Sequence, residues 1–278
     1  PAPPALRRRR LPYHGAPGPM RSVVHDEHLE RDHWWFRARR RIFARFLDHH
    51  GLPAGAAIPW ILDLGPGSGV NLDVLAARGR LVSLDLSARS LETCAALGRQ
   101  LGATTELTRA DATRLPFQSG SLPLVCALDV LEHLPDDRAA LAEIRRVLRP
   151  DGRLLLSVPA HPWMWGRQDV LAEHVRRYRR RELTERLEAA GFEILKLSYF
   201  NTLLFAPIAL VRLLMRPFLA RSVQRGSDLS VRLPLGLDAT LYWSFAVEAG
   251  WLTRRDLPLG VSLFGLARPR APAGRSGV

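Results

Sequence analysis

At 278 residues, 47% apolar and 24% charged, the chain can bury a core of its own, which excludes a disordered or fibrous polypeptide. The net charge of +13 would suit a nucleic-acid binder, but of the 40 basic residues only Lys196 is lysine. The arginine excess comes with abundant Ala, Leu, Gly and Pro and reads as GC-rich coding bias. Two cysteines, Cys94 and Cys126, share no metal-ligand spacing, which excludes a disulfide framework and suits a reducing, cytoplasmic setting.

Residues 1–22 are rich in Pro, Ala, Gly and Arg, with Arg7 to Arg10 in one run and no periodicity; they predict a disordered basic tail. Residues 1–19, ahead of Met20, are read as a tail without function, and an arm touching phosphates is the other reading. No apolar run follows the basic residues, so no signal peptide is expected. Residues 23–57 predict a helical cap, with a helix over 24–50 that carries His33-Trp34-Trp35-Phe36. Those aromatics serve either packing of the helix on the domain or a lid that closes a site against water.

From residue 58 apolar runs alternate with helical periodicity, the pattern of an α/β fold with a mostly parallel sheet and helices on both faces. Strands are expected at 60–64, 81–85, 105–109, 122–128, 152–158, 192–199 and 261–267. Cys126 falls inside one of them as a small core residue. Ser87 can cap a helix carrying Leu91, Ala95 and Leu101. Asp136 or Asp137 can cap another carrying Leu141, Ile144 and Leu148, stopped by Pro150-Asp151-Gly152. A third runs from about Arg181 to Ala190 and stops at Gly191. The domain is expected to span 58–200 and 258–270, interrupted by an apolar helical insertion at 201–257.

The strand ending at Asp63 runs into Gly65, Gly67 and Gly69, then a helix with Leu72, Leu75 and Ala76. Glycines so spaced let the chain turn tightly and let a ligand approach the backbone. A dinucleotide fingerprint would need glycine where Val70 stands, so the loop favours a nucleoside without a pyrophosphate. Asp85 ends the second strand, twenty residues after Gly65. There a carboxylate can accept from both hydroxyls of a ribose, although an Asp before a helix can also serve as its cap. Asp111 leaves the third strand at the same edge and can accept from an exocyclic amine. Asp129-Val-Leu-Glu132-His133 leaves the fourth.

These motifs stand in order. Asp63-Leu-Gly-Pro-Gly-Ser-Gly69, Asp85, Asp111-Ala112 followed by Leu-Pro-Phe117, and Asp129 to His133 resemble those of class I S-adenosylmethionine-dependent methyltransferases. The type 11 group, with the quinone-biosynthesis and other small-molecule enzymes, is the nearest branch. The resemblance covers roughly residues 58–200 and 261–268. It implies a Rossmann-like seven-stranded sheet whose last strand is antiparallel, with S-adenosylmethionine as cofactor. It places Gly65, Gly67 and Gly69 along the methionine and ribose, Asp85 on the ribose, Asp111 and Ala112 on the adenine, and Leu128 or Asp129 near the sulfonium. Asp63, Pro66 and Leu86 complete the expected cofactor set.

Displacement at a sulfonium methyl asks for alignment, exclusion of water and, for an oxygen nucleophile, a base. His133, His161 and His174 are the candidate catalytic bases, and the loop from His161 through Trp163, Trp165, Asp169 and Tyr178 is a candidate substrate wall. Asp129, Glu132 and His133 lack a diagnostic metal spacing, and no metal is expected. In the insertion, nine apolar residues from Leu203 precede Arg212, too few to span a bilayer, which needs about 20. Arginines among Leu, Ile and Phe suit a helix lying on a membrane surface; otherwise 203–252 forms two helices covering the sheet edge or shaping a pocket. The sequence therefore favours methyl transfer, O-methylation foremost, to a small-molecule or lipid-linked acceptor, with membrane-surface contact through 203–252 as one of the two readings of the insertion. The alternatives are an RNA or other nucleic-acid methyltransferase and a non-catalytic cofactor-binding module. Nucleic acid is disfavoured because the Asp/Asn-Pro-Pro-aromatic motif of base-amine enzymes is missing after the fourth strand. A nicotinamide oxidoreductase is the least favoured reading, because of Val70.

Overall fold

The computed structural model describes residues 31–103, 105–215 and 235–271. The expected basic tail, the first residues of the expected N-terminal helix and residues 216–234 of the insertion lie outside them.

Seven strands form one sheet: β1 (Ile58–Leu64), β2 (Gly79–Asp85), β3 (Thr105–Arg109), β4 (Leu122–Leu128), β5 (Leu148–Pro159), β6 (Phe192–Phe200) and β7 (Ser262–Pro269). Their order is β3-β2-β1-β4-β5-β7-β6, and β7 is antiparallel to both of its neighbours. The order reverses between β1 and β4, which opens a crevice at the carboxyl ends of those strands.

Alternation along each strand divides the core in two. Leu62, Leu64, Val82, Leu84, Val125, Leu154 and Leu156 point to one face, covered by helices α4 (Asp137–Val147) and α6 (Arg180–Ala189), between which the short helix α5 (Arg167–Leu171) falls in the chain. Ile61, Leu81, Leu124, Cys126, Leu155 and Phe264 point to the other. That face is covered by α1 (Trp34–His49), α2 (Leu72–Ala76) and α3 (Ala88–Leu101). Helix α1 is a structural layer of the domain. Ala38, Ile42, Phe43, Phe46 and Leu47 are buried, and Phe43 stacks on Phe264 with ring centroids 4.9 Å apart. His33 is the N-cap of α1, its Nδ1 accepting from the Trp35 amide at 3.3 Å, and Trp35 packs on Phe245.

Caps read from sequence hold: Ser87 Oγ accepts from the Ser90 amide, and Asp136 Oδ1 from the Ala139 amide. Pro150-Asp151-Gly152 does not end α4. That helix stops at Val147, because Leu148 already pairs with Leu122; the register then shifts, so the three residues form a bulge at the start of β5.

Three helices of the insertion are described: α7 (Phe205–Met215), α8 (Leu235–Ala246) and α9 (Glu248–Leu252). Phe245, Ala246, Ala249 and Leu252 sink into the core beside α1, and Ala209 of α7 packs near Met164 and Val261. The outer faces stay apolar, with Leu210, Val211, Leu214, Trp243, Val247 and Trp251 exposed. Among the described residues no helix is long and apolar enough to cross a membrane.

Candidate active site

The loop after β1 is forced by its glycines. Gly65 and Gly67 have φ of +63° and +56°, in the left-handed region. A Cβ on Gly65 would lie 2.8 Å from Val130 Cγ2, so the loop closes against the exit of β4 only without a side chain. At Gly67 a Cβ would meet nothing within 4 Å, and the backbone there faces open space at the crevice. Gly69 turns toward Leu97 and Cys94 instead. Pro66 is buried, and its carbonyl accepts from the Gly69 amide at 2.8 Å.

Two carboxylates lie beneath this loop. Asp85 Oδ1 accepts from the Ser87 amide at 2.8 Å, and Ser87 itself caps α3. Burial raises the Asp85 pKa, partly offset by the amides of Ser87, Gly67 and Leu86. Asp63 is buried, and its Oδ2 has no partner. Burial, with the nearby charge of Asp85, pushes its pKa up to about 7. Farther along the edge, Asp111 is exposed, with Oδ1 accepting from the Thr113 amide and hydroxyl at 2.8 and 2.9 Å. Ala112 and Leu128 are both buried, in the clusters on the two faces of the sheet, and the Leu86 carbonyl accepts from Arg109 Nε at 2.9 Å. Open backbone at Gly67, an unpartnered carboxylate oxygen on Asp63 and Asp85 at the strand end suit a nucleoside that carries an ammonium.

Across the switch point, Asp129 has φ +58°, and its amide is held by the Ser157 carbonyl at 2.9 Å. Its Oδ1 accepts from Ser157 Oγ at 2.8 Å, and its Oδ2 pairs with Arg39 Nη1. Arg39 also donates to Ser157 Oγ at 3.2 Å and lies over the Phe43 and Phe200 rings. Burial alone would raise the Asp129 pKa, but the Arg39 charge and hydrogen bond and the Ser157 hydroxyl lower it, so Asp129 stays ionised. Sequence reasoning missed Arg39, one of several arginines on α1. The signal was its place on the buried stripe with Ile42, Phe43 and Phe46.

The next turn brings distant residues together. Glu132 is fully buried, and neither of its carboxylate oxygens has a partner. Burial, then the charge of Asp129, raises its pKa well above the usual carboxylate range. The Val175 amide donates to the Glu132 carbonyl at 2.8 Å, clamping the following loop alongside. His133 and His174 therefore meet, ring centroids 4.8 Å apart. His174 Nδ1 lies 2.9 Å from Asp169 Oδ1, and Asp169 is also held by Arg177 at 2.7 Å and by Arg212 of α7 at 2.9 Å. Burial would raise the Asp169 pKa, but His174 and the two guanidiniums hold it well below the usual range. His161 does not join this pair. It has φ +59°, stacks on Tyr199 with ring centroids 5.1 Å apart, and sits beside Trp163 and Phe205. Burial pushes its pKa down.

Residues 62–156 match the family model described as a methyltransferase domain. The chain is 32% identical over 169 residues to a probable S-adenosylmethionine-dependent methyltransferase of Mycolicibacterium smegmatis, covering 60% of this chain and 62% of that protein. It is 33% identical over 144 residues to a ubiquinone/menaquinone biosynthesis C-methyltransferase of Hahella chejuensis, covering 47% of this chain and 55% of that protein. The chain thus spans less than two thirds of the length of these relatives. Among solved structures, a putative methyltransferase from Bacillus halodurans has a TM-score of 0.54 at 22% identity, covering 81% of this chain and 99% of that one. A geranyl diphosphate methyltransferase in complex with S-adenosylmethionine has a TM-score of 0.54 at 18% identity, covering 84% and 85%. These structural likenesses concern the fold.

Proposed function

We propose that this chain, whose residues 62–156 are a class I S-adenosylmethionine-dependent methyltransferase domain, transfers a methyl group to a hydroxyl of a small-molecule or lipid-linked acceptor. The bound cofactor supplies an activated methyl on a sulfonium. The chain positions it: Gly67 leaves room for the ligand, Asp85 accepts from the ribose, Asp63 receives the ammonium, and Asp111 with Ala112 borders the adenine. Asp129, ionised through Arg39, faces the positive charge of the sulfonium. The single observation that carries the reading is the open backbone at Gly67 beside the buried carboxylate of Asp63, the half-buried carboxylate of Asp85 and the anchored carboxylate of Asp129.

On the acceptor side, His133 and His174 are the imidazoles placed by the exit of β4, and one of them takes the hydroxyl proton as the methyl is transferred. His161, stacked among aromatics, serves better as a wall than as a base. The exposed apolar faces of α7, α8 and α9 suit contact with a membrane surface, where a lipid-linked acceptor would be met. Incubation with methyl-labelled cofactor and a panel of prenylated phenols, carboxylic acids and RNA tests this. Label is expected in an organic-extractable methyl ether. Label in RNA, or in a carbon-bound methyl only, would overturn the O-methylation reading.

A further inference from the structure

We propose that Glu132, His133 and His174 form a binding site for one divalent transition-metal ion, of the zinc or manganese class. The three residues offer one carboxylate oxygen and two imidazole nitrogens, all within 4.8 Å of one another. A lone cluster of such groups would carry nothing. The decisive feature is that Glu132 is completely buried with both oxygens unpartnered, a costly arrangement that a bound cation resolves.

The surroundings are those of a metal ligand shell. With Nδ1 turned to Asp169 Oδ1 at 2.9 Å, His174 leaves Nε2 as the nitrogen to offer an ion, the carboxylate–histidine arrangement common at metal sites. Arg177 and Arg212 fix Asp169 in turn, so the His174 ring is oriented before any ion arrives. Asp129 is turned away to Arg39 and Ser157, so the donor set read along the chain is replaced by one that takes His174 from the next loop. Two imidazoles and one carboxylate favour zinc, iron or manganese over calcium or magnesium. Metal–ligand bonds of about 2.1 Å set neighbouring donors roughly 3.4 Å apart in a tetrahedron, so donors up to 4.8 Å apart must close by up to about 1.4 Å. His133 is exposed, so the adjustment falls at the surface of the site and not in the core. Three protein ligands leave a position open for water or an acceptor oxygen, as in catalytic rather than structural sites. The site itself does not rest on the methyl-transfer reading; its role at the acceptor does, and with the ion bound the metal-held oxygen, not an imidazole, would be the proton acceptor there.

The full chain, stripped with EDTA and dialysed, is titrated with ZnCl2 and separately with MnCl2 in the absence of cofactor and acceptor, reading bound metal and thermal unfolding. About one equivalent is expected to bind and to raise Tm. Glu132→Gln and His174→Ala should each weaken the dissociation constant at least about 10-fold, and the exposed His133→Ala should do so while the circular dichroism spectrum stays that of the parent. Absence of stoichiometric uptake of either ion overturns the site. So does a His133→Ala/His174→Ala double variant that binds as tightly as the parent, which would assign the ion to other histidines. Binding that persists in a chain unable to transfer methyl would leave the site standing and remove the functional reading alone.

Discussion

The β1–β3 side of the crevice is made of backbone turns and short-range contacts, such as the Ser87 amide on Asp85 two residues away. The β4–β5 side is made of charges carried from across the chain: Arg39 reaches Ser157 over a separation of 118 residues, and Arg212 reaches Asp169 over 43. Both sides meet at Gly65, where Val130 from the exit of β4 packs against the loop. A cofactor common to many enzymes can be held by a local motif, because its shape is fixed. The acceptor side is the part each enzyme must vary, and side chains from separate elements can be exchanged without rebuilding the sheet.

If the two sides are separable in this way, variants should damage one function and spare the other. The largest expected effect is on His133. His133→Ala should lower turnover about 100-fold, within the range of lost general-base catalysis, with cofactor affinity changed less than about 2-fold. Steady-state kinetics beside calorimetry checks this; a parallel loss of both would merge the two sides. Next is Arg39→Ala, which removes the partner of Asp129 and the layer over Phe43 and Phe200. A loss of about 2 kcal/mol in denaturant unfolding is expected, because Asp129 keeps some access to solvent, along with a slower methyl transfer. Unfolding free energy unchanged from the parent would mean the pair is decorative.

Gly65→Ala should cost about 1–2 kcal/mol, from the positive φ and the contact with Val130, and should weaken the cofactor less than it weakens the fold. The smallest effect is in pH dependence. Asp63 has a pKa near 7 in the folded chain, so the native state keeps a proton that the unfolded chain gives up near pH 4. Its contribution to stability is therefore full at low pH and lost as pH rises through about 7. The Tm of the cofactor-free protein should fall between about pH 5 and about pH 8, and Asp63→Asn should flatten that slope. A slope of the same size in the variant would move its origin to another group.

The same contrast explains what the sequence could reveal. Strands of alternating or continuous apolar residues, the helix caps at Ser87 and Asp136, and the glycine loop are local, so their signals sit within a few residues. The stop at Pro150-Asp151-Gly152 was misplaced because pairing of Leu148 with Leu122 is a tertiary event that overrides a turn signal. Arg39 looked like one more arginine on a basic helix; only packing on β5 makes it a partner of Asp129. His133 and His161 are both loop histidines in sequence, and nothing local says that His174 would come to the first and Tyr199 to the second. Aromatic residues at 33–36 suggested packing or a lid, and Trp35 against Phe245 supplies the packing.

Cofactor binding depends most on the carboxylate at the end of β2. Calorimetric titration of S-adenosylmethionine into the parent and into Asp85→Ala tests it directly. Losing two hydrogen bonds from a charged acceptor should weaken binding at least about 100-fold while Tm stays close to that of the parent. An unchanged affinity in a folded Asp85→Ala protein would contradict a ribose-binding role for Asp85.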